Sequence, residues 1–220
     1  MREKECRPKF IRIVYLNLFI AIRIYMLKNQ VETILPTEWG NFRMIAYSEN
    51  EEDWMPHLAL IHENTDFEKP VPIRLHSECL TGDIFHSTKC ECGKQLHQSL
   101  AYFQENGGIL LYLRQEGRNI GLINKMKAYN LQKNGKNTVE ANLALGLPAD
   151  GRNFEEAIQI LEDLQLKSIL LLTNNPEKLA AFEQSSIQLI GRIPIEIKAS
   201  VHNQNYLETK KMFFNHILEL

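Results

Sequence analysis

From residue 41 onward the apolar and polar positions follow first one period and then another. The stretches "NFRMIAYSE" (41–49) and "HLALIHE" (57–63) alternate at every second residue, which predicts two strands. The acidic run "SENEEDWMP" between them reads as a loop. "VPIRLH" (71–76) predicts a third strand that runs directly into a cysteine-bearing segment. The period then changes. Leu96, Leu100 and Phe103 recur at helical spacing, and Gly107-Gly108 closes that helix. "GILLYL" (108–113) is a short buried strand, followed by the polar turn "RQEGRN". A helix is expected from Ile120 to Lys133, ending at Asn134-Gly135. Phe154, Ala157, Ile158, Leu161 and Leu164 mark an amphipathic helix. "SILLLT" (168–173) is a second buried strand, and Pro176 opens a helix in "NNPEKLAAF". The strand-like "IQLIGRIPIEIK" (187–198) and a C-terminal helix complete the chain. An antiparallel β-rich N-terminal part followed by alternating β and α elements predicts a single α/β domain of mixed α+β character.

The N-terminus breaks this pattern. "FIRIVYLNLFIAIRIYML" (10–27) is strongly apolar, but it shows no small-residue cleavage site for a signal peptide. Arg12 and Arg23 interrupt it, whereas a membrane helix needs about 20 uninterrupted apolar residues. A membrane anchor is therefore the minor reading. Residues 1–26 read as an extension outside the fold, with Met26 an alternative start, and 27–220 as the domain.

Composition narrows the classes of function. The apolar fraction of 44% and charged fraction of 24% are those of an ordinary globular protein. A net charge of −2 gives no chain-wide basic footprint, so nucleic acid is not an expected partner. Four cysteines are too few for a disulfide scaffold in 220 residues. Three of them, Cys79, Cys90 and Cys92, share the segment "CLTGDIFHSTKCEC" at the spacing C-x10-C-x-C. Zinc favours thiolate and imidazole ligands in tetrahedral array. Three thiolates would leave one position for a water, as in a catalytic site. The alternative is a closed structural site with His86 or His97 as fourth ligand, and spacing alone leaves both open.

Two further segments carry candidate chemistry. "RQEGRNIGL" follows a strand and offers Arg114, Arg118 and backbone N–H groups to an anion. "TNNPEK" places Lys178 in the first turn of a helix, where a cation opposes the macrodipole. Contact with an anion would account for it, although solvent is the commoner surrounding.

With those residues in view, "RLHSECLTGD", "CECGKQL", "LYLRQEGRNIGLINKMKAYNLQ", "TVEAN", "LGLPADGRNF" and "LLTNNPEK" resemble, in order and spacing, the GTP cyclohydrolase II family. The resemblance covers about Leu27 to Leu220. It implies a cytoplasmic α/β homodimer acting in the first committed step of riboflavin biosynthesis. Such an enzyme hydrolyses GTP to 2,5-diamino-6-ribosylamino-4(3H)-pyrimidinone 5′-phosphate, formate and pyrophosphate. It holds one Zn2+ per subunit, with Mg2+ at the triphosphate. By the same resemblance Cys79, Cys90 and Cys92 are the zinc ligands. Arg74, Leu75, His76, Ser77, Glu78, Gln95, Glu116, Gly117, Arg118, Thr138, Thr173 and Lys178 are nucleotide-binding positions. Asp150 matches the proton acceptor, Arg152 a nucleophile at the α-phosphorus, and Tyr129 a tyrosine needed for ring opening. An arginine normally stays protonated, so a purely electrostatic Arg152 is the standing alternative. Lys89 stands for the usual arginine, Glu91 for aspartate, and His86 and Asn215 for glycines. The synthase domain sometimes fused upstream in such proteins is not among these residues, so a bifunctional protein is not expected. Two rivals remain: a paralogue that stops at the formamide, which Tyr129 argues against, and a zinc-binding interaction module without turnover.

Overall fold

The computed structural model describes residues 26–197 and 204–217. The apolar run at 10–25 and Cys6 lie outside the described residues.

One seven-stranded mixed sheet organises the chain, in the order β1-β2-β3-β5-β4-β6-β7. The strands are β1 (Lys28–Thr37), β2 (Gly40–Ser48), β3 (His57–His62), β4 (Val71–Ser77), β5 (Ile109–Leu113), β6 (Ser168–Leu172) and β7 (Gln188–Ile193). β1, β2, β3 and β5 pair antiparallel in succession, whereas β5, β4, β6 and β7 run parallel. The expected division into an antiparallel N-terminal part and an alternating β/α part is therefore what the chain forms. The helices are α1 (Leu80–Asp83), α2 (Cys92–Asn106), α3 (Glu116–Asn119), α4 (Gly121–Gln132), α5 (Thr138–Ala144), α6 (Glu155–Asp163), α7 (Pro176–Ala180) and α8 (Gln204–Phe214).

The central strands read as continuous apolar runs because both of their faces are covered. In β5, Leu111 joins a cluster with Ile73, Leu75 and Leu171, sealed by Ala157, Ile160 and Leu161 of α6. Its neighbour Leu110 points the opposite way, into a cluster with Phe42, Leu172 and the α2 residues Leu100 and Phe103. Each such side chain contributes about 1.5–3 kcal/mol of burial free energy.

Several sequence expectations are adjusted by this structure. β1 was not anticipated, because its residues are mostly exposed and its apolar Val31 and Ile34 do not alternate. The 187–198 strand stops at Ile193, where Pro194 removes a ladder N–H. The turn 114–119 contains α3, and the helix expected at 120–133 is Gly121–Gln132. Gly117, Arg118 and Asn119 within α3, and Gly121 at the start of α4, all have positive φ, so α3 is an irregular turn that kinks into α4. α5 was also unforeseen, although its capping box from Asn137 to Glu140 was present in the sequence.

Candidate active site

The three parallel strands β4, β5 and β6 end side by side, and their exits carry the three motifs singled out in the sequence. Ser77–Cys79 follows β4, Arg114–Arg118 follows β5, and Thr173–Lys178 follows β6. Ligands of open α/β sheets bind outside the carboxyl ends of parallel strands. A cavity of about 720 Å3 lies here.

Part of the cavity wall is built from thiols. The Sγ atoms of Cys79, Cys90 and Cys92 lie within 4.8 Å of one another, and Cys79 and Cys90 are 3.7 Å apart. Among the described residues neither His86 nor His97 joins them. Both are exposed, and their rings meet edge-on with centroids 5.7 Å apart. The fourth-ligand alternative thus finds no support in the arrangement. Gly82 and Gly93 allow the convergence: a Cβ on Gly82 would lie 3.0 Å from Cys90 Sγ and 3.1 Å from Cys79 Sγ. A Cβ on Gly93 would meet the Gly82 carbonyl oxygen at 2.2 Å. Backbone therefore packs on backbone, and the thiols occupy the space side chains would take.

This donor set fits a thiophilic divalent ion. Hydrogen bonds from Cys90 and Cys92, followed by the Lys125 charge, hold the Cys79 thiol far below its usual range despite burial. The hydrogen bond to Cys79 pushes Cys90 up to about 11 and, with burial, Cys92 well above its usual value. One thiolate is thus ready, and a cation is needed to ionise the others. Lys125 Nζ donates to Cys79 Sγ at 3.1 Å and to Glu116 Oε1 at 2.7 Å. Glu116 Oε2 in turn accepts from the Leu80 N–H at 2.7 Å, tying α3 to the ligand loop. Tyr129 reaches the same cluster. Its hydroxyl is 3.4 Å from Thr81 Oγ1, and Lys89 Nζ sits 4.4 Å from its ring centre. Burial pushes the phenol up to about 12, so it remains a donor.

The same cavity is also lined by cations. Arg74 on β4 is 5% exposed; it donates to Leu172 O at 3.0 Å and Gln95 Oε1 at 2.8 Å. Burial lowers it to about 10, which leaves it charged near neutrality. Lys178 Nζ is also buried and donates to Leu75 O at 2.7 Å. Burial first, then the Arg74 and Arg152 charges, hold it well below the usual lysine range. Lys178 is therefore not solvated, the commoner surrounding. Arg152 Nε donates to Asp150 Oδ1 at 2.9 Å, with Nη2 on Oδ2, in a bidentate pair. Burial raises the Asp150 carboxyl, but the Arg152 hydrogen bonds and charge outweigh it and hold it low.

The wall brings together Arg74, His76, Ser77, Glu78, Gln95, Gly117, Arg118, Tyr129, Thr138, Arg152, Thr173 and Lys178 with the three cysteines. Three expected positions are not on it. Leu75 is core and offers its carbonyl to Lys178. Glu116 stands behind Lys125, and Asp150 behind Arg152.

The C-terminal helix expected from the sequence is α8, but its part in the cavity was not foreseen. Glu208, Thr209, Lys210, Met212, Phe213 and the following His216 close one side of the cavity. Lys210 forms a buried ion pair with Glu91, between two of the cysteines. The Arg118 guanidinium lies 4.2 Å from the Phe214 ring centre, and the Ile217 N–H donates to Asn174 O at 2.9 Å. No periodicity in the sequence announces such contacts.

Comparison with known proteins bears on the whole of this region. The family pattern of GTP cyclohydrolase II matches residues 28–194. The riboflavin biosynthesis protein RibBA of Bacillus cereus (strain G9842) is 45% identical over 98% of this chain and 55% of that protein. RibBA of Bacillus velezensis (strain DSM 23117 / BGSC 10A6 / LMG 26770 / FZB42) is 50% identical over 88% of this chain and 49% of that protein. The chain spans about half the length of the curated relatives it matches. A crystal structure of RibBX, a two domain 3,4-dihydroxy-2-butanone 4-phosphate synthase from A. baumannii, aligns over 84% of this chain and 45% of that one. Its TM-score is 0.40 at 18% identity, which bears on neither fold nor function.

Proposed function

Because this chain belongs to the GTP cyclohydrolase II family, we propose that it hydrolyses GTP to 2,5-diamino-6-ribosylamino-4(3H)-pyrimidinone 5′-phosphate, formate and pyrophosphate, as a step of riboflavin biosynthesis. The observation that carries this reading is one cavity lined both by three clustered thiols and by buried cations. Opening an imidazole ring needs an activated water, and cleaving an α–β phosphate bond needs cationic support of the triphosphate.

Cys79, Cys90 and Cys92 would hold Zn2+, which supplies Lewis-acid activation of water when bound. Lys125 offsets the thiolate charge, and Glu116 orients Lys125. Tyr129 offers a protonated hydroxyl beside the same loop. Arg74, Arg118, Arg152 and Lys178 would receive the triphosphate, together with Mg2+ carried by the phosphates themselves. Asp150 supports a clamp role for Arg152: its bidentate contact fixes the guanidinium plane while leaving it charged. A carboxylate held low is a weak base for an arginine, which makes nucleophilic attack by Arg152 the lesser reading.

A cytoplasmic homodimer is part of the proposal. No helix among the described residues is long and apolar enough to cross a membrane. The sheet edge β1 exposes Val31 and Ile34, both more than 60% accessible, as a surface a second copy could cover. Sedimentation equilibrium tests the dimer. Zinc content measured together with formate and pyrophosphate release from GTP tests the activity.

A further inference from the structure

The loop 150–153 that carries Arg152 packs against the turn that follows β5, and three hydrogen bonds join them. Gln115 Nε2 donates to Asn153 O at 2.7 Å. The Gly151 N–H donates to Arg118 O at 3.1 Å, and Asn119 Nδ2 donates to Gly151 O at 3.1 Å. The residues on either side of Arg152 are thus pinned, one by Gln115 and the other by Arg118 and Asn119. Gln115 is only 3% exposed, so its bond is shielded from water, whereas Asn119 is exposed. His57 first, and then Gln115, hold the Glu156 carboxyl low against burial, which sets the Gln115 side chain between the loop and the first turn of α6.

The turn is strained where it meets the loop. Arg118 and Asn119 have φ of 61° and 66°, directly after Gly117 at 63°. A left-handed backbone is costly for a residue with a side chain, and such strain persists where surrounding contacts over-determine it. Here the loop supplies such contacts. Within the loop, Asp150 fixes the Arg152 guanidinium by its bidentate bond. That contact is internal, so it does not set where the pair stands relative to Arg118; the bonds to the β5 turn do. Arg118 and Arg152 both line the cavity.

We propose that Gln115 is a positioning residue: its bond to Asn153, with the Arg118–Gly151 bond on the other side, holds the Arg152 guanidinium at a set place relative to Arg118 for the phosphate-cleaving step. This rests on the GTP reading of the cavity. Gln115 acts through Arg152 and not on the phosphate itself. A cation placed in advance stabilises developing charge without reorganising as the bond breaks.

Gln115→Met keeps the side-chain length and removes the donor. It should lower kcat/KM for pyrophosphate release about tenfold, the scale of one buried hydrogen bond, with bound zinc unchanged. In an Arg152→Lys background the same substitution should change kcat/KM by less than about twofold, because the group it positions is already gone. An equal loss in both backgrounds would show a general structural role and overturns the proposal, as does wild-type kcat/KM in Gln115→Met. Nitrogen-15 NMR of the zinc-loaded full-length protein reads the placement without turnover, with the Arg152 Nε–H assigned by its absence in Arg152→Lys. This proton should exchange slowly with water in wild type and faster in Gln115→Met, and equal rates contradict the proposal. Should Gln115→Met fail to fold, the wild-type spectrum decides: an Arg152 Nε–H that exchanges as fast as a solvated guanidinium is not held in place. Should Arg152→Lys be inactive, the two exchange rates decide. A wild-type protein that releases no pyrophosphate from GTP sinks the GTP reading instead and leaves the exchange result standing.

Discussion

Tyr129 is the residue at which a packing role and a chemical role separate most cleanly. Its ring lies against Lys89 and its hydroxyl against Thr81, beside the thiols. Tyr129→Phe keeps the ring and removes one protonated hydroxyl. A loss of formate release of about a hundredfold is expected, the scale of one proton-transfer group, with the circular dichroism spectrum unchanged. Near-normal formate release would make Tyr129 a packing residue. His86 tests the backbone instead. It stands where the resemblance places glycine, and it is exposed with φ of 51°. A left-handed conformation costs a non-glycine residue roughly 1 kcal/mol or more. His86→Gly should therefore raise the thermal midpoint by a few degrees without changing turnover, and a lowered midpoint would show that the edge-on contact with the His97 ring matters more. His216 sets a pH dependence. Burial, followed by the Lys210, Arg152, Lys178 and Arg118 charges, pushes it down to about 2 from 6.5. Between those values the unfolded chain binds a proton that the folded chain refuses, so stability falls as pH drops below 6.5. The slope approaches about 1.4 kcal/mol per pH unit. Urea midpoints between pH 7.5 and 5.5 should fall more steeply in wild type than in His216→Asn; parallel curves would contradict this.

At the scale of elements, what the sequence made legible and what it concealed follow from packing. β5 and β6 were readable as continuous apolar runs buried on both faces, and β4 by Val71, Ile73 and Leu75 alternating with Pro72, Arg74 and His76. β1 was not, because an edge strand with both faces largely open carries no such requirement. The thiol cluster was legible because three cysteines in fourteen residues are chemically conspicuous. Lys125 and Lys210 were not, since lysines on helices are usually solvated and only the fold reveals their partners. The Lys210–Glu91 pair joins α8 to the start of α2, both side chains at most 12% exposed. Removing one partner leaves an uncompensated buried charge, at a cost of about 3–5 kcal/mol. Lys210→Met should accordingly lower the denaturation midpoint and loosen zinc. Adding Glu91→Gln should recover much of the stability, because both charges are then gone. Additive losses in the double variant would show that the pair is not coupled.

For the whole molecule, the decisive feature is that parallel strand exits gather distant segments into one space. Cys79, Gln115 and Thr173 are far apart in sequence, yet they share one wall through the order β5-β4-β6. The sequence supplied each motif, but only strand order places thiols and cations on the wall of a single cavity. The thiols are assigned to ring opening and the cations to phosphate cleavage, which makes the two half-reactions separable. Formate and pyrophosphate release from GTP, measured in parallel with bound zinc in wild type and Cys90→Ser, test it most directly. Wild type should release both products, whereas Cys90→Ser should lose zinc and formate release but retain pyrophosphate release through the intact cations. Formate release at the wild-type rate from zinc-free Cys90→Ser would contradict it.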